Sequence, residues 1–374
     1  MGKNKSRRGG FHIRPCPFAA EHTSAGAYRM RPYGSLFLSG AQRRSPQNLL
    51  FIICLFVLGV TLVSCKTKGN EETKVVKIGI LQLATHSALD SAREGFIDQL
   101  KEAGYVDKQN ISITVKNPEG DPNTVNQMAT DLVRSCDLVL GIATDAAVAL
   151  QNAAEIEGKN IPILFTAVTD AVKAGLVESN EKPGKNVTGT SDINPVKEQI
   201  QLLKELLPDT EKFGIIYNVS EINSGVQADL AKAEAVNQNL ECKVRTVSDA
   251  SDIAATVSAL ISDGCTAIYI PTDNLIAANM PAVTSVTDEK KIPTICGEAG
   301  CVLGGGTITY GVNYYALGKQ TANQAIQILF NNVSPSNIPV GMQTSPEELD
   351  IVINEESVNK LGITIPDSIK KRMK

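Results

Sequence analysis

The apolar run Phe213-Gly214-Ile215-Ile216 breaks off into Tyr217-Asn218-Val219-Ser220-Glu221-Ile222-Asn223-Ser224, which places six hydrogen-bonding residues in eight positions. A helix start needs one capping side chain. This stretch offers four or more, enough to ring a small polar molecule. Other apolar runs end in the same kind of residue: Ala84-Thr85-His86-Ser87-Ala88-Leu89-Asp90, Ala143-Thr144-Asp145, Thr166-Ala167-Val168-Thr169-Asp170, Ser191-Asp192, Pro271-Thr272-Asp273-Asn274 and Gly297-Glu298. Hydroxyls and helix N-termini suit a carboxylate, because the first N–H groups of a helix lack partners. The acids Asp273 and Glu298 suit an ammonium group as charge-assisted partners. Recognition of a small zwitterion is the chemistry these types support.

Catalysis is poorly served. Beyond residue 64 the only histidine is His86, too few for a histidine-based triad or a multi-histidine metal site. No G-x-x-x-x-G-K-[ST] loop is present, and Gly304-Gly305-Gly306 precede an apolar run, the wrong order for a dinucleotide fingerprint. No enzyme activity, cofactor or metal is expected.

The elements that must position these residues alternate. Val75–Leu83 reads as a strand, and residues 88–104 as a helix with Leu89, Ala92, Phe96, Ile97 and Leu100 at helical spacing. The alternation continues through residues 110–117, 123–135, 136–143, 145–156 and 161–168, then restarts near Gly189. In the second half Asn274–Lys290 reads as one helix and residues 349–363 as a closing strand and helix. Strands alternating with helices of this length predict βαβ units and parallel sheets, here in two similar α/β lobes. Open parallel sheets bind ligands beyond the carboxyl ends of their strands, where the polar clusters fall.

The N-terminus differs. Residues 1–64 hold nine Lys/Arg and one acid, leaving residues 65–374 with 27 basic and 39 acidic side chains, a balance that disfavours nucleic acid. Arg43 and Arg44 precede the apolar run Leu49–Val60, of signal-peptide length and too short for a comfortable membrane span. It closes on Leu62-Val63-Ser64-Cys65, which resembles the lipobox of bacterial lipoproteins and implies lipidation of Cys65. The expected organisation is a leader over 1–64, a tether over 65–73, lobe 1 over 74–192 and 312–345, and lobe 2 over 193–311 and 346–374. Cys136, Cys242, Cys265, Cys296 and Cys301 then remain. They are expected to be buried free thiols, with a Cys296–Cys301 bridge as the lesser alternative.

Six motifs in order, LATHSALDSAREGF, ATDAAVAL, VTDAVKAGLV, VTGTSD, IYNVSEINSG and PTDNLI, resemble the tryptophan/tyrosine branch of ABC-transporter substrate-binding proteins, over Val75 to Lys371. The resemblance implies the type I periplasmic-binding fold, two Rossmann-like lobes joined by three crossovers, and delivery of ligand to a membrane permease driven by a separate ATPase. It also implies an extracytoplasmic, lipid-anchored receptor. Carried over by motif, Thr144 and Thr166, Ala167 and Val168 would bind a ligand carboxylate, and Asp273, Asn274 and Glu298 the amino group. Asn218, Glu221, Asn223 and Ser224 would line lobe 2, while Gln82, His86, Leu89 and Asp90 shape the side-chain pocket. Asp192 ends a strand near the cleft, and Tyr217, Tyr310 or Tyr314 could stack on the ligand, since the chain has no tryptophan. The chain departs from the family at Asp145 and Ala171, where proline is common. The ligand reads as an aromatic amino acid; a sugar or other polar-molecule receptor, or a sensory ectodomain, is the alternative.

Overall fold

The structure, a computed structural model, describes residues 75–373; the leader, the tether and Cys65 lie outside the described residues. The first sheet uses β1 (Val76–Gln82), β2 (Ile111–Lys116), β3 (Leu138–Ile142), β4 (Ile163–Thr166), β5 (Val187–Ser191) and β11 (Gly341–Met342). Its order is β11-β5-β4-β3-β1-β2. Helices α1 (Ser87–Glu102), α2 (Pro122–Ser135), α3 (Thr144–Ile156) and α10 (Tyr314–Leu329) belong to this lobe.

The second sheet runs β12-β10-β9-β8-β6-β7. Its strands are β6 (Lys212–Asn218), β7 (Glu241–Val247), β8 (Ile268–Ile270), β9 (Thr294–Cys296), β10 (Ile308–Val312) and β12 (Leu349–Ile353). Around it lie α4 (Val196–Leu206), α5 (Ile222–Asn237), α6 (Ile253–Ser262), α7 (Asn274–Ala278), α8 (Met280–Lys290), α9 (Ala299–Leu303), α11 (Glu355–Leu361) and α12 (Asp367–Lys370). Neighbouring strands are parallel except β12, which runs antiparallel to β10. The expected single helix over 274–290 is two, broken at Asn279. Pro281 cannot supply the N–H that would continue the first.

Alternation along the strands builds a core on each face of the second sheet. Phe213, Ile215, Tyr269 and Ile295 point to one side, and Ile216, Ile268, Ile270 and Cys296 to the other. In the first lobe α10 lies against α1 at backbone distance. A Cβ on Gly95 would stand 2.0 Å from the Tyr315 carbonyl oxygen, and one on Gly318 the same distance from that of Ala92. Only glycine fits at either place, so the helix that follows the second crossover is locked to the helix whose N-terminus enters the cleft.

The chain passes between the lobes three times: over 192–195, at Asn313 and over 343–348. Tyr314 Oη donates to Asp192 Oδ2 (2.6 Å), and Val312 N donates to Asn194 Oδ1 (3.1 Å), tying the first two passages together. Asn313 and Gln343 exchange hydrogen bonds of 2.8 and 2.9 Å, tying the second to the third.

In each sheet the strand order reverses at one point, between β1 and β3 and between β6 and β8. Such reversals open a crevice beyond the strand ends. At the first one the backbone is strained, since Ala143 has φ 88°, ψ 159°, a region close to glycine-only; after the adjacent strand β4, Ala167 has φ 57°. Such strain costs on the order of 1–3 kcal/mol per residue, and glycine costs about 0.5–1 kcal/mol in unfolded-state entropy. Ala143→Gly is therefore expected to raise stability by about 1 kcal/mol, read from the urea unfolding midpoint; a lowered midpoint contradicts the strain.

Candidate ligand-binding cleft

The polar cluster after β6 is a latch between two loops. Glu221, 5% exposed, accepts five hydrogen bonds. Asn218 Nδ2 (3.2 Å) and Leu275 N (3.0 Å) donate to Oε1. Asn223 Nδ2 (3.1 Å), Asn274 N (3.0 Å) and Asn274 Nδ2 (2.7 Å) donate to Oε2. Asp273 returns the exchange, accepting from Asn218 N (2.6 Å) and from Ile276 N (2.9 Å). Asn223 Nδ2 and Ser224 Oγ both donate to the Thr272 carbonyl, at 3.0 Å each. Most of the hydrogen-bonding capacity of this stretch thus joins the β6–α5 loop to the β8–α7 loop. One group is left over: Asn223 Oδ1 is buried without a partner, a deficit of roughly 1–3 kcal/mol unless something donates to it.

Lobe 1 faces this latch with unpartnered groups of its own. Helix α3 starts at Thr144 without a side-chain cap, and the Thr144 hydroxyl, 2% exposed, has no partner. His86 Nε2 lies 3.2 Å from Asn274 Oδ1 across the cleft, and its Nδ1 is buried and unpartnered. Gln227 Nε2 donates to Thr169 Oγ1 at 3.3 Å, a second link between the lobes. A Cβ on Gly300 would stand 2.8 Å from Ser87 Oγ and 3.0 Å from Ala88 N, so the lobes also meet at α9.

The other expected site residues lie one step back. Gln82, fully buried, donates to Ala84 O (2.8 Å) and Asp90 Oδ1 (2.9 Å), and Arg93 pairs with both Gln82 and Asp90. Leu89 is 2% exposed within the lobe 1 core. Together these three hold the first turn of α1. Thr166 Oγ1 accepts from Thr190 at 3.0 Å, Ala167 and Val168 belong to the core, and the Val168 carbonyl receives the Asp192 N–H. Tyr217 and Tyr310 are half-buried against the lobe 2 core, and the Tyr314 hydroxyl is held by Asp192.

Asp273 and Glu298, expected to meet a ligand amino group, each accept backbone N–H bonds at both oxygens. Glu298 caps α9 through Gly300 N and Cys301 N (2.7 Å). Sequence reasoning missed Gln227, Asn194 and Thr272, which carry contacts between elements; Thr272 lay in a motif already noted, while Gln227 sits mid-helix with nothing local to mark it. The five described cysteines are free, with Cys265, Cys296 and Cys301 buried and Cys136 and Cys242 half-buried.

Negative charge dominates the cleft. Burial, and then Glu221, pushes the Asp145 carboxyl up to about 6. Asp273 is raised by the same two causes, and Asp192 by burial. Among the described residues no lysine or arginine bonds to Asp145, Glu221, Asp273 or Glu298. Between its ordinary value of 3.8 and about 6, folded Asp145 holds a proton that the unfolded chain has released. Stability should therefore fall as pH rises through that window. Asp145→Asn should flatten the dependence in melting curves recorded across it; identical slopes in the two proteins contradict the assignment.

Comparison with known proteins gives these features a family. A family model described as ABC transporter substrate binding protein matches residues 77–374. A tyrosine-binding protein of Clostridioides difficile is 38% identical over 329 residues, 85% of this chain and 93% of that one. A solved ABC domain from Streptococcus pneumonia, in complex with L-Trp, is 37% identical, with a TM-score of 0.75 over 80% of this chain and 98% of its own. A ligand-free, open substrate-binding protein from Clostridium difficile is 39% identical over 78% of this chain and 97% of its own, but its TM-score is 0.61. With identity nearly equal, the better fit to the L-Trp complex accords with the interlobe contacts described above. The chain belongs to the ABC transporter substrate-binding proteins.

Proposed function

We propose that the cleft captures a free amino acid of aromatic type and that the protein delivers it to a membrane permease with a separate ATPase. The observation that carries this reading is the mismatch of unused groups across the cleft. On lobe 2 an orphaned acceptor, Asn223 Oδ1, sits beside the carboxylates of Glu221 and Asp273, with Asp145 facing Glu221 from lobe 1. Also on lobe 1, an unpartnered hydroxyl stands at the uncapped start of α3. An ammonium satisfies the first set and a carboxylate the second, and a zwitterion carries both.

Burying several carboxylates without a counter-charge is costly, and an arriving cation offsets that cost. No group of three or more His, Cys, Asp or Glu among the described residues could hold a metal ion, so the cation is read as organic. Contacts to both lobes form only when they meet, which gives the ligand its differential affinity for the closed form. The relatives named for tyrosine and L-Trp support the aromatic class. Anchoring through Cys65 on the outer side of the cell membrane completes the proposal.

Thermal melting of the full chain, unfolded and refolded to strip bound ligand, against the twenty amino acids and several sugars tests it. Tyrosine, tryptophan or phenylalanine is expected to raise stability by about 2.7 kcal/mol at a hundred times its Kd. Thr144→Val should leave the ligand-free protein at least as stable and weaken the ligand about tenfold or more, the worth of one charge-assisted hydrogen bond. A shift with sugars alone overturns the ligand class, and unchanged affinity in Thr144→Val overturns the carboxylate site.

A further inference from the structure

A cavity of about 260 Å³ lies where α1 meets α9 and is lined by none of Thr144, Asp145, Glu221, Asn223 or Asp273. Its walls come from both lobes. Ser87 and Ser91 of α1 form one side, Leu303 of α9 another, and Asn313 at the second crossover closes an end. The antiparallel pairing of β10 with β12 sets Thr309 opposite Val352 and Gly311 opposite Asp350, so alternate residues of both strands make the floor. Thr309 is 1% exposed and its hydroxyl has no partner, although the cavity lies beside it.

The geometry points to a second binding site here, for a small neutral polyol of glycerol to pentose size, that forms when the lobes close. The lining selects that class. Three hydroxyls, Ser87, Ser91 and Thr309, can each give or take hydrogen bonds, and the Asn313 amide, which caps α10 and bonds Asp350, keeps one N–H to give. The Tyr314 and Tyr315 hydroxyls are taken by Asp192 and Asp98, so both tyrosines present ring carbon, a face for C–H groups. Among the described lining residues the one charged side chain is Asp350, which accepts from Asn313 Nδ2 at 3.2 Å. No described lining residue is cationic, so neither an anion nor the carboxylate of an amino-acid zwitterion finds a counter-charge there. The volume lies just below the usual range for small-molecule pockets, roughly 300–1,000 Å³.

Because α1 and α9 belong to different lobes, a polyol filling the cavity touches both and favours closure. Linkage then requires that cleft ligand and polyol strengthen each other's binding by the same factor. This coupling rests on lobe closure and not on the identity of the cleft ligand.

Saturation-transfer NMR on the full, ligand-stripped chain, with glycerol and ribose as probes, tests the site. Saturable binding of at least one probe is expected. It should weaken about tenfold or more in Ser91→Leu, whose side chain would fill the half-exposed end of the cavity. Thr309→Val, nearly isosteric, should weaken it by about two- to tenfold through loss of one hydroxyl. Absence of saturable binding with both probes, or equal binding in wild type and both folded variants, overturns the proposal. The readout involves no amino acid, so it fails or succeeds separately from the cleft assignment.

Discussion

One buried carboxylate organises the cleft. Glu221 gathers five donors from two loops that are far apart in sequence, and Asp273 reciprocates from the other side. Neutral donors alone surround both carboxyls, an arrangement that holds them in place without supplying a counter-charge. The residues that fix the loops therefore also leave the cleft short of positive charge. The bonds that join the two loops account for much of the polarity of the stretch from Tyr217 to Ser224.

The hinge transmits what happens at that latch. Asn194 donates to Thr272 Oγ1 (3.1 Å), Thr272 donates to Gln227 Oε1, and Gln227 reaches Thr169 in the opposite lobe. Thr169 Oγ1 in turn bonds Asp192, which holds Tyr314 at the next crossover. A buried, hydrogen-bonded chain thus runs from the lobe 2 loop to two of the three passages. Closure of the lobes completes this chain through one side-chain contact, Gln227 to Thr169.

The alternation of strands and helices was legible because each strand is a short β-branched run and each helix keeps its 3.6 spacing. Local pattern could not reveal β5 or β11. Val187-Thr188-Gly189-Thr190-Ser191 is polar by composition, yet it is fully buried beneath α10, with Thr190 bonded to Thr321 at 2.7 Å. The polar strand ends were legible too, and the structure brings several of them together where the lobes meet. The division of labour among them was not. Asp273 and Glu298 read in sequence as ligand acids, and only the positions of Ile276 N, Gly300 N and Cys301 N show that both also cap helices. The strain at Ala143 is also invisible, because alanine carries no signal for positive φ.

The acidic groups converging on the cleft call for an ammonium group on the ligand. Titration calorimetry of the ligand-stripped protein with tyrosine and with its deamino analogue, 3-(4-hydroxyphenyl)propionate, tests this most directly. The two differ in the ammonium while sharing the ring and carboxylate. A site whose buried acceptors stay unpaired should reject the analogue by roughly a hundredfold or more. Equal affinity for the two compounds would show that the converging carboxylates do not select the ligand, and would contradict the account.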